Sequence, residues 1–183
     1  MRIIAGKYAK RNLFTLKSRV TRPTSDKVKE SLFNSMGQFF QGGCVLDLYG
    51  GSGALGIEAV SRGYERAVIN DINRGAIEII KKNVALTRDE ARFDVLHMNS
   101  QAALKYLATQ QAKFDLVFLD PPYAKQQIVK DMTKLLQLEL LNDHALIVAE
   151  TDDHTDIATP TGYSLSKTHH LGKTIVRFYR KDV

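Results

Sequence analysis

The chain has 183 residues, 44% of them hydrophobic and 25% charged, which suits one domain with a full core and excludes a disordered or fibrous protein. No apolar run reaches the ~20 residues that span a bilayer, the opening stretch lacks the apolar segment of a secretory signal, and the single cysteine, Cys44, allows neither an internal disulfide nor a cysteine-based metal cluster. The net charge of +6 is uneven: residues 1–30 hold nine basic and two acidic side chains, a block of +7, and the remainder carries −1. Such a block is the electrostatic footprint of phosphate binding, with a solvated basic tail as the plain alternative. A cytoplasmic protein with no membrane partner is expected.

In chain order, Arg2–Leu16 reads as two short strands, RIIAG and RNLFTL, around a basic turn. Arg22 before Pro23 is held extended, and Thr24, Ser25 or Asp26 can cap the helix that follows. In DKVKESLFNSMGQFF, the residues Val28, Leu32, Phe33, Met36, Phe39 and Phe40 recur at helical spacing and form one apolar face. No linker rich in Pro, Gly or Ser separates this region from the rest. The basic arm, residues 1–25, is therefore expected to fold onto a main domain of residues 26–183. From Cys44, strands and helices alternate. CVLDLY is a strand, Ala54–Arg62 a helix, RAVIN a strand, Arg74–Leu86 a helix and RFDVLHM a strand. Ala102–Ala108 is a short helix, FDLVFLD a strand, Gln127–Leu141 a helix and HALIVAE a strand. YSLSKTHH and KTIVRFYRK close the chain as two strands joined at Leu171 and Gly172. This alternation implies an α/β fold with a parallel sheet and helices on both faces, and the final hairpin adds an antiparallel strand at or near one edge. Ligands of such sheets bind at the carboxyl ends of the strands.

The first strand of the domain runs into Asp47-Leu48-Tyr49-Gly50-Gly51-Ser52-Gly53-Ala54-Leu55-Gly56. Gly50, Gly51 and Gly53 permit a tight turn whose backbone approaches a ligand closely. Asp71, at the end of the next strand, offers a short carboxylate able to accept two ribose hydroxyls. The spacing formally matches a dinucleotide fingerprint as well. Asp47 argues against that cofactor, because a carboxylate before the glycines repels a pyrophosphate and suits a cation such as the ammonium and sulfonium of S-adenosylmethionine. A packing-driven glycine turn without a ligand is the plain alternative.

The fourth strand ends in Asp120-Pro121-Pro122-Tyr123. Consecutive prolines remove two amide donors and hold the chain extended, which leaves nearby carbonyls available. The Asp120 carboxylate and the Pro121 carbonyl can accept both N–H bonds of one planar exocyclic amine, while Tyr123 offers a ring for base stacking, worth about 1–3 kcal/mol. An amine on a nucleobase is a poor nucleophile because its lone pair is delocalised into the ring. Acceptors on its hydrogens aim that lone pair at a methyl sulfonium, so transfer needs mainly positioning and electrostatics. In isolation the motif would be an ordinary strand-terminating turn; beside the glycine loop and Asp71 it reads as chemistry. No metal is called for, and the five histidines lack ligand spacing. Cytosine-C5 transfer would need a nucleophilic cysteine, whereas Cys44 begins a strand as a structural thiol.

Four blocks carry a family likeness: Arg2-Ile3-Ile4-Ala5-Gly6-Lys7; Arg22-Pro23-Thr24-Ser25-Asp26 with Glu30 and Leu32-Phe33-Asn34; Asp47 through Gly63; and Asp120 through Tyr123. Over essentially its full length the chain resembles the bacterial 16S rRNA guanine-N2 methyltransferases. The resemblance implies a Rossmann-like class I fold with a mostly parallel seven-stranded sheet and a small N-terminal hairpin. It implies an S-adenosylmethionine-dependent enzyme acting on one guanine of 16S rRNA in an assembled or assembling 30S subunit, as a monomer without metal. Asp120, Pro121, Pro122 and Tyr123 would then be catalytic. Asp47, Tyr49, Gly50, Gly51, Ser52, Gly53, Asp71, Ile72, Asn99 and Ser100 would hold the cofactor. Arg2, Lys7, Lys10, Arg11, Arg19, Arg22 and Thr24 would meet rRNA, with the Arg-Pro-Thr-Ser-Asp turn over the active site. The sequence departs from the family pattern at Tyr49-Gly50, where Phe-Ala is usual. Asp71 stands for the usual glutamate, and Asn99 stands where an aspartate often contacts the adenine amine, a bond its amide oxygen could accept.

Three other readings compete. Adenine-N6 transfer uses the same Asp-Pro-Pro-Tyr motif, and only the two N-terminal blocks favour guanine. An NAD-dependent oxidoreductase would share the fold but has no use for that motif. A non-catalytic RNA-binding module has no use for the set Asp47, Gly51, Gly53, Asp71 and Asp120.

Overall fold

The computed structural model describes residues 1–16, 26–122 and 127–183. Arg19, Arg22, Thr24 and Tyr123 lie outside the described residues. The described helices are α1 (Asp26–Met36), α2 (Ala54–Ser61), α3 (Arg74–Thr87), α4 (Ser100–Thr109) and α5 (Ile128–Gln137). The strands are β1 (Cys44–Asp47), β2 (Arg66–Asp71), β3 (Phe93–His97), β4 (Phe114–Leu119), β5 (Leu141–Asp152), β6 (Tyr163–Leu171) and β7 (Thr174–Lys181). They form one seven-stranded sheet in the order β3-β2-β1-β4-β5-β7-β6. β1 to β5 pair in parallel, and β7 runs antiparallel between β5 and β6. The mostly parallel sheet with an antiparallel end is the one the alternation predicts. None of the described helices is long and apolar enough to cross a membrane.

Alternation along the strands divides the core into two layers. Val45, Ala67, Ile69, Leu116, Phe118 and Val148 face α1, α2 and α3, whereas Leu46, Val117, Leu119, Ile147 and Ala149 face α4 and α5. Phe114 shares the second layer despite its parity with Leu116, because the β4–β5 register shifts between these two residues. Helix α1 stops at Met36, short of the expected Phe40. Gly37 takes φ 127° there, which ends the helix; Phe39 is left exposed, while Phe40 stacks at 4.6 Å on Tyr64.

The N-terminal arm differs from the two strands expected. Among its described residues the only ladder is a single bridge, Arg2 to Asn12, because the Ile4, Ala5, Lys7 and Tyr8 amides bond to Glu58 and Ser61 of the domain instead. The Glu58 carboxylate, fully buried on α2, accepts from the Ile4 and Ala5 amides at 2.8 and 3.1 Å, from Lys29 Nζ at 3.0 Å and from Arg62 Nε at 2.7 Å. Lys29, counted in the basic block, is therefore an interior group with no surface charge to offer. Gly6 sits so close to α2 that a Cβ would lie 1.8 Å from the Ser61 carbonyl oxygen. Ile3, Tyr8 and Leu13 complete the first core layer. The arm then runs along α3: Arg11 donates to the Leu86 and Thr87 carbonyls and Phe14 pairs with Asn83.

Candidate active site

The strand order reverses between β1 and β4, and at such switch points the strand ends leave a crevice for a ligand. Asp47 closes β1 and pairs in register with Phe118, two residues before Asp120. Leu119 pairs with Ala149, so Asp120, just past the end of β4, stands beside Glu150 of β5. Three apolar strands thus deliver three carboxylates to one end of the sheet. They line a cleft of about 310 Å³ together with the glycine loop, Asp71, Ile72, the Asn99–Ser100 corner, Pro121 and Pro122.

The acidic end of the cleft is electrostatically strained. Burial pushes the Asp47 carboxyl up to about 7; the Gly56 amide, donating at 3.1 Å, pulls the other way, and Asp71 adds to the rise. Burial likewise raises Asp120 well above the usual carboxylate range, with the fields of Glu150 and Asp47 adding to it. Crowded, desolvated carboxylates bind protons or other cations to relieve the repulsion.

The Asp71 end of the cleft is organised by hydrogen bonds. Asp71 is half-buried and accepts from the Gly51 amide at 2.9 Å and from the Asn73 amide at 2.7 Å. Two carboxylate oxygens retain further lone pairs for hydroxyls. Gly51 and Gly53 take φ 57° and 78°, a left-handed turn that glycine adopts without strain, and Gly53 passes directly into α2. Gly53 shapes the loop from below, while Gly50, Gly51 and Ser52 face the cleft. Ile72 is 68% exposed beside Asp71, an apolar surface at the rim.

The third wall is the corner after β3. Asn99 caps α4, its Oδ1 accepting from the Ala102 amide at 2.8 Å, so the oxygen expected to meet an adenine amine already holds one bond. The Ser100 hydroxyl is buried and donates to Asp131 at 3.2 Å. Asp131, fully buried on α5, also accepts from Gln101 at 2.7 Å and from the Tyr49 hydroxyl in a short contact. One side chain thereby ties the loop after β1 and the corner after β3 to the helix that follows the Asp-Pro-Pro segment.

Among the expected phosphate contacts, Arg2, Lys7 and Lys10 are exposed on the arm. Lys7 Nζ reaches Asp89 at 2.6 Å and Arg2 lies 3.6 Å from Asp26. Arg11 is turned inward: its guanidinium stacks 5.3 Å from the Tyr8 ring and holds two carbonyls at the end of α3, at 2.8 Å each. Sequence reasoning missed the cleft-lining residues Glu150, Asn70, Met1, Thr15 and Leu16, and Asp131, which braces the wall from behind. Glu150 had a signal, an acid ending an apolar run exactly as Asp47 and Asp120 do. Asn70 donates to the Leu48 and Met98 carbonyls at 3.0 and 3.1 Å and so spans two loops, which no local pattern reveals.

Known proteins share this architecture. The family described as Conserved hypothetical protein 95 matches residues 1–180. A Bacillus subtilis protein named "Putative rRNA methyltransferase YlbH" is 37% identical over 182 residues, covering 99% of each chain. The Ribosomal RNA small subunit methyltransferase D of Haemophilus influenzae is 34% identical over 98% of this chain and 93% of its own. The solved structure described as "Putative methyltransferase yhhF from Escherichia coli" superimposes with a TM-score of 0.85 at 30% identity, over 100% of this chain and 98% of that one.

Proposed function

The chain belongs to the Conserved hypothetical protein 95 family, and from that premise we propose that it is an S-adenosylmethionine-dependent rRNA methyltransferase acting on the exocyclic N2 amine of one guanine of 16S rRNA. Relatives named ribosomal RNA small subunit methyltransferase D support the substrate class. The observation that carries the chemistry is the meeting, in one cleft, of a hydroxyl-binding end at Asp71 and a buried acidic end at Asp47, Asp120 and Glu150.

The residues present fit S-adenosylmethionine. Asp71 takes the ribose hydroxyls, Ile72 and the Asn99 corner take the adenine, and the acidic end draws the cationic methionine portion through Asp47. The backbone of Gly50 to Ser52 lets the ligand approach closely. When bound, the cofactor supplies a methyl group on a positively charged sulfur.

The chain's own residues then orient the acceptor. The guanine amine donates one N–H to the Asp120 carboxylate and one to the Pro121 carbonyl, which fixes the nitrogen and directs its lone pair. Tyr123 stacks on the base, and Pro122 keeps the segment rigid. The guanine must leave its stack to reach Asp120, so an unpaired base is the suitable target. Arg2, Lys7 and Lys10, with Arg19, Arg22 and Thr24, hold the rRNA backbone; such contacts position without reading sequence. Arg11 serves this role by fixing the arm to α3.

Nucleoside mass spectrometry of 30S subunits from cells lacking the protein, before and after its addition with cofactor, tests the proposal. A gain of N2-methylguanine is expected; N6-methyladenine, or no new methylated nucleoside, overturns the substrate. Stabilisation by NAD in place of S-adenosylhomocysteine in a thermal-shift assay overturns the cofactor, since a ligand at about 100 times its Kd adds about 2.7 kcal/mol.

A further inference from the structure

The arm that carries the exposed cations also forms part of the cleft. Met1, Thr15 and Leu16 lie on its wall, which they share with the glycine loop, Asp71 and Ile72. The Leu16 Cδ2 methyl reaches the start of α3, 3.6 Å from where a Cβ on Gly75 would stand. Ser52 Oγ approaches Met1 Sδ at 4.0 Å.

One buried side chain fastens this wall. Asn83 of α3 accepts from the Phe14 amide at 2.8 Å and donates to the Phe14 carbonyl at 2.9 Å, as a strand neighbour would. Its second amide hydrogen goes to the Ser52 carbonyl at 2.8 Å. Asn83 is fully buried, and no hydrophobic side chain could replace these three bonds. The same latch therefore fixes the arm to the glycine loop that lines the cleft. Met1 is held in turn by the Leu13 amide, which donates to the Met1 carbonyl at 2.9 Å.

We propose that the inner edge of the N-terminal arm is a nucleoside-side wall of the cofactor site, latched by Asn83, so that rRNA on the arm's outer face and cofactor on its inner face bind cooperatively. The inference rests on the methyltransferase reading above. Anything that fixes the arm on one face reduces the ordering left for the other ligand, and the coupling is reciprocal. Leu16 and Thr15 act on the cofactor directly, whereas Asn83 is a positioning residue that acts through Phe14 and Ser52.

Calorimetric titration of S-adenosylhomocysteine, with and without a saturating 16S rRNA transcript, tests it. For the unaltered protein the transcript should tighten binding by about fivefold or more, at the lower end of common coupling strengths. Leu16→Ala should weaken S-adenosylhomocysteine several-fold and raise the KM for S-adenosylmethionine with kcat unchanged, and Leu16→Met should restore both. Asn83→Ala should weaken binding about tenfold and abolish the effect of the transcript. If that variant does not fold, the Leu16 pair decides the wall and the titration of the unaltered protein decides the cooperativity. Leu16→Ala binding as tightly as the unaltered protein overturns the wall, and an unaltered protein indifferent to the transcript overturns the cooperativity. An unaltered protein that does not bind S-adenosylhomocysteine at all overturns the methyltransferase reading itself, a result distinct from either.

Discussion

The two ends of the cleft hold carboxylates in opposite ways. Asp71 is half-buried and already satisfied by two backbone amides, at 2.9 and 2.7 Å, so it meets a ligand as a preformed acceptor. Asp47 and Asp120 are desolvated, with Glu150 close to Asp120 and one amide at 3.1 Å for Asp47. Their repulsion is relieved by a bound proton, a cation or an amine donor. Preorganisation by hydrogen bonds suits a binding end, and crowded desolvated acids suit a reacting end, as the proposed function requires.

Removing a carboxylate from each end should separate the roles. Asp120→Ala should abolish methyl transfer, a loss of about a thousandfold or more, while S-adenosylhomocysteine affinity stays within a few fold in a direct titration. Comparable loss of both would erase the distinction between the ends. Asp71→Ala should do the reverse, weakening the cofactor by tens of fold, since a hydrogen bond to a charged group is worth about 1.5–3 kcal/mol. Saturating cofactor should then recover most of the rate.

The strained end should also show in pH dependence. Asp47, at about 7 in the free protein, is largely protonated at pH 6 and ionises as a cationic ligand binds. Binding therefore releases a proton, and affinity should rise with pH from 6 to 7, by at most about tenfold per unit, and level off above. The stability of the free protein has the opposite sign. A carboxyl whose pKa is raised by folding favours the native state most at low pH, so that contribution fades as pH climbs from about 4 through 7. Titrations in buffers of different ionisation enthalpy would count the protons; no release across this range would remove the strain from the picture.

The smallest effects should come from the arm. Lys10→Ala should lower the salt dependence of rRNA binding by about one unit of slope, the signature of one lost phosphate contact. Arg11→Ala should leave that slope unchanged and cost about 1 kcal/mol of stability instead, because its guanidinium caps two carbonyls at the end of α3. A flattened slope for Arg11→Ala would return it to the RNA-facing set.

Much of this was legible without coordinates. The alternation of apolar runs with helical spacing gave the order and the rough limits of every element from β1 onward. The glycine loop, Asp71 and Asp120 stood at strand ends where the topology puts a ligand site, and all but Gly53 among the described residues of the expected cofactor and catalytic set line the observed cleft. The arm was less legible. Its two strands reduce to one bridge because Glu58 and Ser61, distant in sequence, outcompete a ladder for its amides at 2.7 to 3.1 Å.

Period and punctuation are local, and so the sequence by itself determined the sheet, its layers and the acids at its strand ends. Which of those acids crowd one another depends on strand order, and the order β1-β4-β5 alone sets Asp47, Asp120 and Glu150 together. Only tertiary packing turned Lys29 inward onto Glu58, gave Asp131 three donors from the loop after β1 and the start of α4, and laid the arm against the glycine loop. Buried polar groups take whatever partners the fold brings within reach, and that reach is a property of three dimensions.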